Sequence, residues 1–227
     1  MLQEHRLLEG GLASASQWCL ANGYKSVWSA AKATNGALNS GGVAILVRAD
    51  LGVSSPIKSK SASHRGIIAT IDAPGHGSFH ACSIYLESGA PLQGESAELL
   101  KECSDYLVSS ELPYVLGGDF NCLPSTFAAS AAPSMLRSNV IAPPSNVGTC
   151  TGKKGRRRVI DFFCVSKCFA LALYSVTVCT AAAAIMPPHS PVMLRFPPQA
   201  EIGPGPKAGQ SPPPADQADE RPHPGQH

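Results

Sequence analysis

Short apolar segments separated by turn residues are the feature that most constrains the fold of this 227-residue chain. Many contain β-branched residues and end at glycine or serine, which is typical of short buried strands. Such strands are predicted at 42–48, 66–71, 79–86, 114–118, 159–165, 173–178 and 192–196. Helical spacing of apolar residues predicts helices at 11–22, 95–109 and 130–137, the second capped by Ser96. This mixture indicates an α/β fold, a two-sheet α/β sandwich, rather than a helical bundle or an all-β barrel.

The composition changes near residue 196, which sets the predicted domain boundary. Residues 197–227 contain Pro-Gly-Pro and Pro-Pro-Pro sequences and no aromatic residue. A segment of this kind buries too little apolar surface to offset the entropy lost on ordering. We therefore predict one domain at 1–196, followed by a disordered tail rich in proline and glycine at 197–227.

Charge and cysteine content exclude several classes of protein. The net charge of +2 is too small to indicate a nucleic-acid partner by itself. The eight cysteines form no Cys-x-x-Cys pair, and Cys164 and Cys168 lack a histidine or a second pair that would complete a zinc site. Buried free thiols in a reducing compartment are expected, with a disulfide framework as the alternative. No apolar stretch reaches the ~18 residues of a membrane span, so the prediction is an intracellular protein without membrane contact.

The segment Gly117-Gly118-Asp119-Phe120-Asn121 is the most informative motif for chemistry. It follows an apolar strand and opens into a loop, a position that functional residues favour. Asp119 and Asn121 are two residues apart, so on an extended segment their side chains would point the same way. The pair offers a negative charge for a cation or a water, and an amide for a phosphate oxygen. Gly-Asp-Phe-Asn is also a common plain turn, and the pattern alone does not decide between the two.

Five segments of the chain follow one another in a distinctive order. They are Leu2-Gln3-Glu4-His5, Gly41-Gly42-Val43-Ala44-Ile45, Ile84-Tyr85-Leu86-Glu87-Ser88-Gly89, Gly118-Asp119-Phe120-Asn121, and Val159 to Ser166 followed by His189-Ser190-Pro191-Val192. In these segments and their order, the chain resembles the endonuclease/exonuclease/phosphatase superfamily, the DNase I-like proteins that include abasic-site endonucleases and the endonucleases of non-LTR retrotransposons. The resemblance spans residues 1 to about 196. It implies a two-sheet α/β sandwich of the DNase I-like type and hydrolysis of a phosphodiester bond.

The resemblance also implies a role for each matching polar residue. His189 is the base or transition-state contact, and Asp161 fixes its tautomer and orientation. Asp119 orients the attacking water, while Asn121 and Tyr85 hold the phosphate.

A divalent cation completes this implied site. Glu4 is its ligand, and the cation is Mg²⁺ or Mn²⁺, because a hard ion with oxygen ligands neutralises the charge that develops on the phosphate.

Two departures from the family pattern favour an impaired enzyme. The sequence begins at the strand that carries Glu4, so the first strand of the family is missing from the predicted sheet, which leaves backbone groups unpaired. Pro188 stands where the family has an aspartate before the histidine, and proline cannot bind a metal.

The basic run before the Asp161 strand comprises Lys153, Lys154, Arg156, Arg157 and Arg158. It fits contact with DNA phosphates, a nuclear localisation signal or a solvated loop, and the sequence does not separate these. The leading prediction is a DNA endonuclease of the abasic-site or retrotransposon type. The alternatives are a catalytically dead relic of a mobile element and a phosphatase of the same fold. We infer no protein partner and expect a monomer.

Overall fold

A computed structural model describes residues 1–35, 38–75, 77–152, 155–171, 175–180 and 188–196. These residues fall within one unit, Met1–Pro197. The tail predicted at 197–227 lies outside the described residues, so both its disorder and the boundary before it stay predictions.

The helices and strands alternate along the chain as the sequence pattern predicts. The helices are α1 (Glu9–Ala21), α2 (Gly94–Ser109), α3 (Pro124–Ala128), α4 (Ala132–Met135) and α5 (Lys167–Leu171). The strands are β1 (Leu2–Gln3), β2 (Tyr24–Ser29), β3 (Val43–Arg48), β4 (Gly52–Val53), β5 (Ile57–Lys58), β6 (Gly66–Ala73), β7 (Gly77–Tyr85), β8 (Tyr114–Asp119), β9 (Ser138–Ile141), β10 (Cys150–Thr151), β11 (Arg157–Arg158), β12 (Asp161–Ser166), β13 (Ser175–Val178) and β14 (Val192–Arg195).

A seven-stranded sheet forms the centre of the fold. Its path is β4-β6-β7-β8-β12-β9, and β5 also pairs with β6. All of these pairs are antiparallel except β7 with β8, which run parallel because α2 crosses over between them. The parallel pair brings the carboxyl ends of β7 and β8 to the same edge of the sheet, where Tyr85 lies opposite Asp119.

Both faces of this sheet are buried, which explains why its strands are apolar on both sides. On β6, Ile68 packs in a cluster with Leu99 and Leu100 of α2, whereas Ile67 and Ile71 pack in a second cluster against β2 and β3. The alternation along one strand therefore places helices on one face and another sheet on the other. The predicted α/β sandwich is confirmed.

The layer that covers the second face consists of two separate sheets among the described residues. One has the order β1-β3-β2, and the other is the hairpin β13-β14. A cavity of about 950 Å³ is lined by both β1 and β14 and by apolar side chains of the central sheet, including Val115 and Phe163.

The predicted elements differ from the observed ones in details that have local causes. The second helix begins at Gly94 and makes no side-chain cap, so the prediction that Ser96 caps it is wrong. Instead, the buried Ser96 hydroxyl accepts a hydrogen bond from the backbone N–H of Glu87 at 2.8 Å. The helix predicted at 130–137 is present but shorter, as α4, and α3 precedes it where no helix was predicted.

All eight cysteines are free thiols, but three of them are not buried: Cys168 is exposed, and Cys150 and Cys179 are half-buried. In the described part of the chain, no helix is long and apolar enough to cross a membrane.

Candidate active site

Two neighbouring strands of the central sheet carry the acidic residues of the candidate site. β8 ends at Asp119 and β12 begins at Asp161, and the antiparallel register places these residues directly opposite each other. Gly118 allows β8 to lie close to β7, since a Cβ at this position would be 1.9 Å from the carbonyl oxygen of Ile84. The glycine before the aspartate is therefore required by the close approach of the two parallel strands.

His189 is brought to these carboxyl groups by backbone hydrogen bonds on both of its sides. Ser190 N–H donates to the carbonyl of Thr149 at 2.7 Å, and Thr151 N–H donates to the carbonyl of Pro188 at 2.9 Å. His189 itself forms an isolated antiparallel bridge with Cys150. Proline lacks a donor but keeps its carbonyl acceptor. Pro188 therefore takes part in the backbone hydrogen bonding next to His189, although its side chain cannot bind a metal.

The imidazole of His189 lies between the two aspartates. Its Nδ1 is 3.0 Å and 3.1 Å from the two carboxylate oxygens of Asp161, and its Nε2 is 3.9 Å from Oδ2 of Asp119. Because a carboxylate only accepts hydrogen bonds, the neutral imidazole carries its proton on Nδ1 and presents the Nε2 lone pair towards Asp119. The tautomer that the sequence resemblance implies is thus the one favoured by these contacts.

Burial and like charge perturb the titration of this group. Asp119 is 5% exposed, and burial followed by repulsion from Asp161 raises its pKa to about 7 from the usual 3.8. The hydrogen bond with Asp161 raises the pKa of His189, and both carboxylates add to this effect. A carboxyl group with a pKa near 7 beside an imidazole whose pKa is raised is suited to proton transfer.

Glu4 and Tyr85 lie at the same edge of the sheet. Glu4 follows β1 with a left-handed backbone (φ 55°), which is uncommon for a residue with a side chain. Its carboxylate accepts a hydrogen bond from Arg6 Nη2 at 3.1 Å and is contacted by the Tyr85 hydroxyl. Burial, followed by the charges of Glu4 and Asp119, raises the pKa of Tyr85 to about 12. Tyr85 therefore stays a neutral hydrogen-bond donor.

The predicted orientation of Asn121 is wrong. β8 ends at Asp119, and Asn121 has a left-handed backbone (φ 50°), so the two residues do not lie on one extended segment. The backbone N–H of Asn121 donates to Asp119 Oδ1 at 2.9 Å, and its side-chain amide donates to the carbonyl of Leu86 at 2.8 Å. Asn121 thus forms the turn that holds Asp119 in place, and one of its two amide hydrogens is already bonded within the protein.

Two residues at the site have no counterpart in the sequence-based predictions. Arg65 is 9% exposed, its guanidinium lies 5.0 Å from the centre of the Tyr85 ring, and its buried Nη1 makes no hydrogen bond. The Cys150 thiol lies 3.7 Å from His189 Nε2. No local signal in the sequence identifies either residue, because each is brought to the site by contacts between distant segments.

The donor atoms at this edge fit a divalent cation. One atom each from Asp119, Asp161 and His189 lies within 4.8 Å of the others. Burial, followed by repulsion from Asp161, raises the pKa of Asp119, and a cation at this position would stabilise the ionised carboxylate. Together with Glu4, these residues also line one end of the cavity, so a ligand in the cavity can reach them.

The basic run is only partly described. Arg156, Arg157 and Arg158 are exposed, and β11, which contains the last two, pairs with β10 next to His189. Lys153 and Lys154 lie outside the described residues. The described arginines are thus on the strand pair that also carries Cys150.

Several solved structures of known proteins have a fold similar to that of this chain. No family model and no curated protein sequence matches the chain. Similar structures include a 3′-5′ exonuclease of Neisseria meningitidis, with a TM-score of 0.61, 21% identity and coverage of 86% of this chain and 87% of the other. An abasic-site endonuclease of Archaeoglobus fulgidus has a TM-score of 0.59 and 15% identity, with 86% of each chain covered. The endonuclease domain of the non-LTR retrotransposon TRAS1 has a TM-score of 0.57 and 16% identity, with 78% of this chain and 81% of the other covered. The chain therefore has the DNase I-like fold of the endonuclease/exonuclease/phosphatase superfamily.

Proposed function

We propose that this chain is a metal-dependent phosphodiester hydrolase that cleaves DNA, most like the abasic-site and retrotransposon endonucleases. The observation that carries the proposal is the placement of His189 between Asp161 and Asp119 at the end of a large cavity. This arrangement combines an oriented base with a buried carboxyl group whose pKa is near 7. Groups of this kind are suited to activating water against a phosphodiester at neutral pH.

In the proposed mechanism, Asp161 keeps the proton on His189 Nδ1, so that Nε2 contacts the reacting group. Asp119 accepts a hydrogen bond from the attacking water and orients it, and Asn121 holds this carboxyl group through its backbone N–H. Tyr85 donates a hydrogen bond to a phosphate oxygen. Because these groups are held before the substrate binds, they contribute positioning and electrostatic stabilisation at little cost in reorganisation.

Glu4 and Asp119 are the carboxylates that would hold Mg²⁺ or Mn²⁺, which prefer oxygen ligands. When bound, such a cation neutralises the charge that develops on the phosphate during hydrolysis. Pro188 removes one carboxylate from this environment, so we expect weaker cation binding than a site with an aspartate at that position would have.

DNA as the substrate is supported by two further observations. A structure of the Neisseria 3′ phosphatase NExo with bound product DNA hairpin has a TM-score of 0.57 with this chain, at 19% identity. The exposed side chains of Arg156, Arg157 and Arg158 lie next to the site and can contact backbone phosphates. The same arginines, with Lys153 and Lys154, also fit a nuclear localisation signal. We expect the chain to act as a monomer.

The test is cleavage of supercoiled plasmid and of a duplex with one abasic site, with and without Mg²⁺. We expect nicking that requires Mg²⁺ and is abolished by His189→Ala and by Asp119→Ala, while circular dichroism shows that both variants stay folded. Asp105→Asn is the matched control, because Asp105 is an exposed surface residue paired with Lys101. Cleavage that persists in both site variants would overturn the assignment of the site.

The same experiment also tests the two alternatives to a DNA endonuclease. Pro188 favours a relic without catalysis, and a folded protein that cleaves neither substrate would support it. Restoration of cleavage by Pro188→Asp would instead identify a damaged enzyme. Release of phosphate from a 3′-phosphorylated hairpin without nicking would identify a phosphatase, the activity named for the Neisseria protein.

A further inference from the structure

The side chain of Arg65 carries a positive charge that has no counter-ion in the described part of the chain. The residue is 9% exposed, and none of the ion pairs among the described residues includes it. Its Nε donates to Nε2 of His64 at 3.1 Å, and its guanidinium carbon lies 5.0 Å from the centre of the Tyr85 ring. Because the accepting imidazole and the phenol are both neutral, neither balances the charge.

The guanidinium group also keeps unused hydrogen-bond donors. Nη1 is buried and makes no hydrogen bond within the described residues, and Nε is the guanidinium nitrogen that does make one there. Arginine stays charged in proteins, and a buried charge without a partner is costly. Contact with an aromatic face offsets only part of that cost. A charge kept in this position is therefore suited to an anion that comes from outside the chain.

The backbone holds Arg65 in place on both sides. Its N–H donates to the carbonyl of Ala62, and its own carbonyl accepts from the N–H of Tyr85, both at 2.8 Å. The segment before it is fixed by Glu102 of α2, whose carboxylate accepts hydrogen bonds from the Ser59 hydroxyl and from the backbone N–H groups of the next two residues. A cation held in this way loses little freedom when an anion binds.

The position of Tyr85 indicates which anion reaches this charge. Tyr85 lies opposite Asp119 in the register of β7 and β8, and its hydroxyl contacts the Glu4 carboxylate. Arg65 therefore packs directly on a residue of the candidate active site. The planar donors of a guanidinium match the oxygen atoms of a phosphate group, and this pairing is stronger than a neutral hydrogen bond.

We propose that Arg65 is a substrate-binding residue whose guanidinium donates to an oxygen of a backbone phosphate next to Tyr85. The inference deepens the proposed hydrolysis, on which the identity of the anion as a phosphodiester rests. The phosphate supplies the negative charge that Arg65 lacks within the chain. The contact of the guanidinium with the Tyr85 ring places both donors beside the same anion.

Inorganic phosphate is the first probe, with a chelator present so that no divalent cation takes part. The midpoint of thermal unfolding of the full-length chain is measured against phosphate concentration at constant ionic strength. We expect a saturable rise, because a ligand of the folded state stabilises it. Arg65→Met should weaken phosphate binding at least about tenfold, as expected for loss of a charge-assisted hydrogen bond. Without phosphate, its midpoint should equal or exceed that of the unaltered chain, since methionine buries no charge.

Arg48→Met is the matched control, because Arg48 is exposed and its guanidinium is already paired with Asp50 at 3.0 Å. This variant should keep the saturable rise. Arg65→Lys keeps the charge but lacks the planar donors, so it should bind phosphate more weakly than the unaltered chain even where Arg65→Met does not fold. An unchanged phosphate affinity in the Arg65 variants, or no saturable rise in the unaltered chain, would overturn the proposal.

A labelled DNA duplex distinguishes a backbone phosphate from a free phosphate ion. With the chelator present, fluorescence anisotropy should show weaker duplex binding by Arg65→Met than by Arg48→Met. Equal binding by the two variants would overturn the assignment of Arg65 to the substrate. Neither measurement requires cleavage, so failure of this inference and failure of the proposed hydrolysis are distinguishable.

Discussion

Replacing Asp119 with asparagine is expected to stabilise the chain at neutral and alkaline pH when divalent cations are removed. The carboxyl group is 5% exposed, and burial and Asp161 raise its pKa to about 7 from 3.8. Between these two values the folded chain binds more protons at Asp119 than the unfolded chain does. The free energy of unfolding therefore falls as the pH rises from about 4 to about 7.

The magnitude follows from the separation of the two pKa values. At about 1.4 kcal/mol per pKa unit, the ionised carboxyl costs on the order of 4 kcal/mol of stability above pH 7. Asparagine removes this cost and keeps a carbonyl oxygen that can accept the hydrogen bond from Asn121 N–H, which is 2.9 Å long. The variant also loses the attraction between His189 and Asp119, which reduces the gain in stability. A change of this size is a large part of the roughly 5–15 kcal/mol that stabilises a typical domain.

Urea denaturation at pH 4, 6 and 8 in the presence of a chelator measures the effect. The free energy of unfolding of Asp119→Asn should equal that of the unaltered chain at pH 4 and be larger by several kcal/mol at pH 8. Added Mg²⁺ should reduce the difference in the free energy of unfolding between the two chains at pH 8, because an ion that binds the ionised site stabilises the folded chain. Asp105→Asn, at an exposed ion pair, should change little at any pH. A difference for Asp119→Asn that does not vary with pH would refute the reasoning.

Two other predictions concern stability. Gly118→Ala should destabilise the chain by about 3 kcal/mol or more in urea denaturation, because the added Cβ would be 1.9 Å from a backbone oxygen that cannot move alone. Gly117→Ala is the matched control. It should destabilise the chain less, because its added Cβ would contact the side chains of Phe163 and Met1, which can move. Equal losses of stability in the two variants would contradict this reasoning. Deletion of residues 198–227 should leave the midpoint of thermal unfolding unchanged within error. A large decrease on deletion would show that the tail packs on the domain.

Local sequence patterns were sufficient for four strands of the central sheet, namely β6, β7, β8 and β12, but not for the shorter β4, β5 and β9. β8 and β12 lie within an apolar run of β-forming residues, and they match the predicted segments to within two residues at their ends. β2, Tyr24–Ser29, was missed because Lys25 and the serines around it give the segment a polar character. It forms a strand because it pairs along its whole length with β3, which supplies the hydrogen bonds and the apolar partners.

The candidate site was predictable in its main residues and not in its details. Asp119, Asp161 and His189 were expected together, and the structure brings them within hydrogen-bonding or near-contact distance. The side chain of Asn121 was expected to point in the same direction as that of Asp119. Its left-handed backbone instead places Asn121 in a turn. The side-chain amide of Asn121 also bonds the carbonyl of Leu86, a residue 35 positions away, and no local pattern records such a contact.

The sequence by itself determined which segments form the longer strands of the central sheet and which polar residues stand at their ends, because alternation, turn residues and short motifs are local properties. Only the tertiary structure decided that Cys150 lies against His189, that Arg65 is buried beside Tyr85, and that the carboxyl group of Asp119 titrates near neutral pH. Each of these depends on the pairing of segments distant in the chain. Burial and charge act through space, so the same residues acquire different chemistry once packing brings them together.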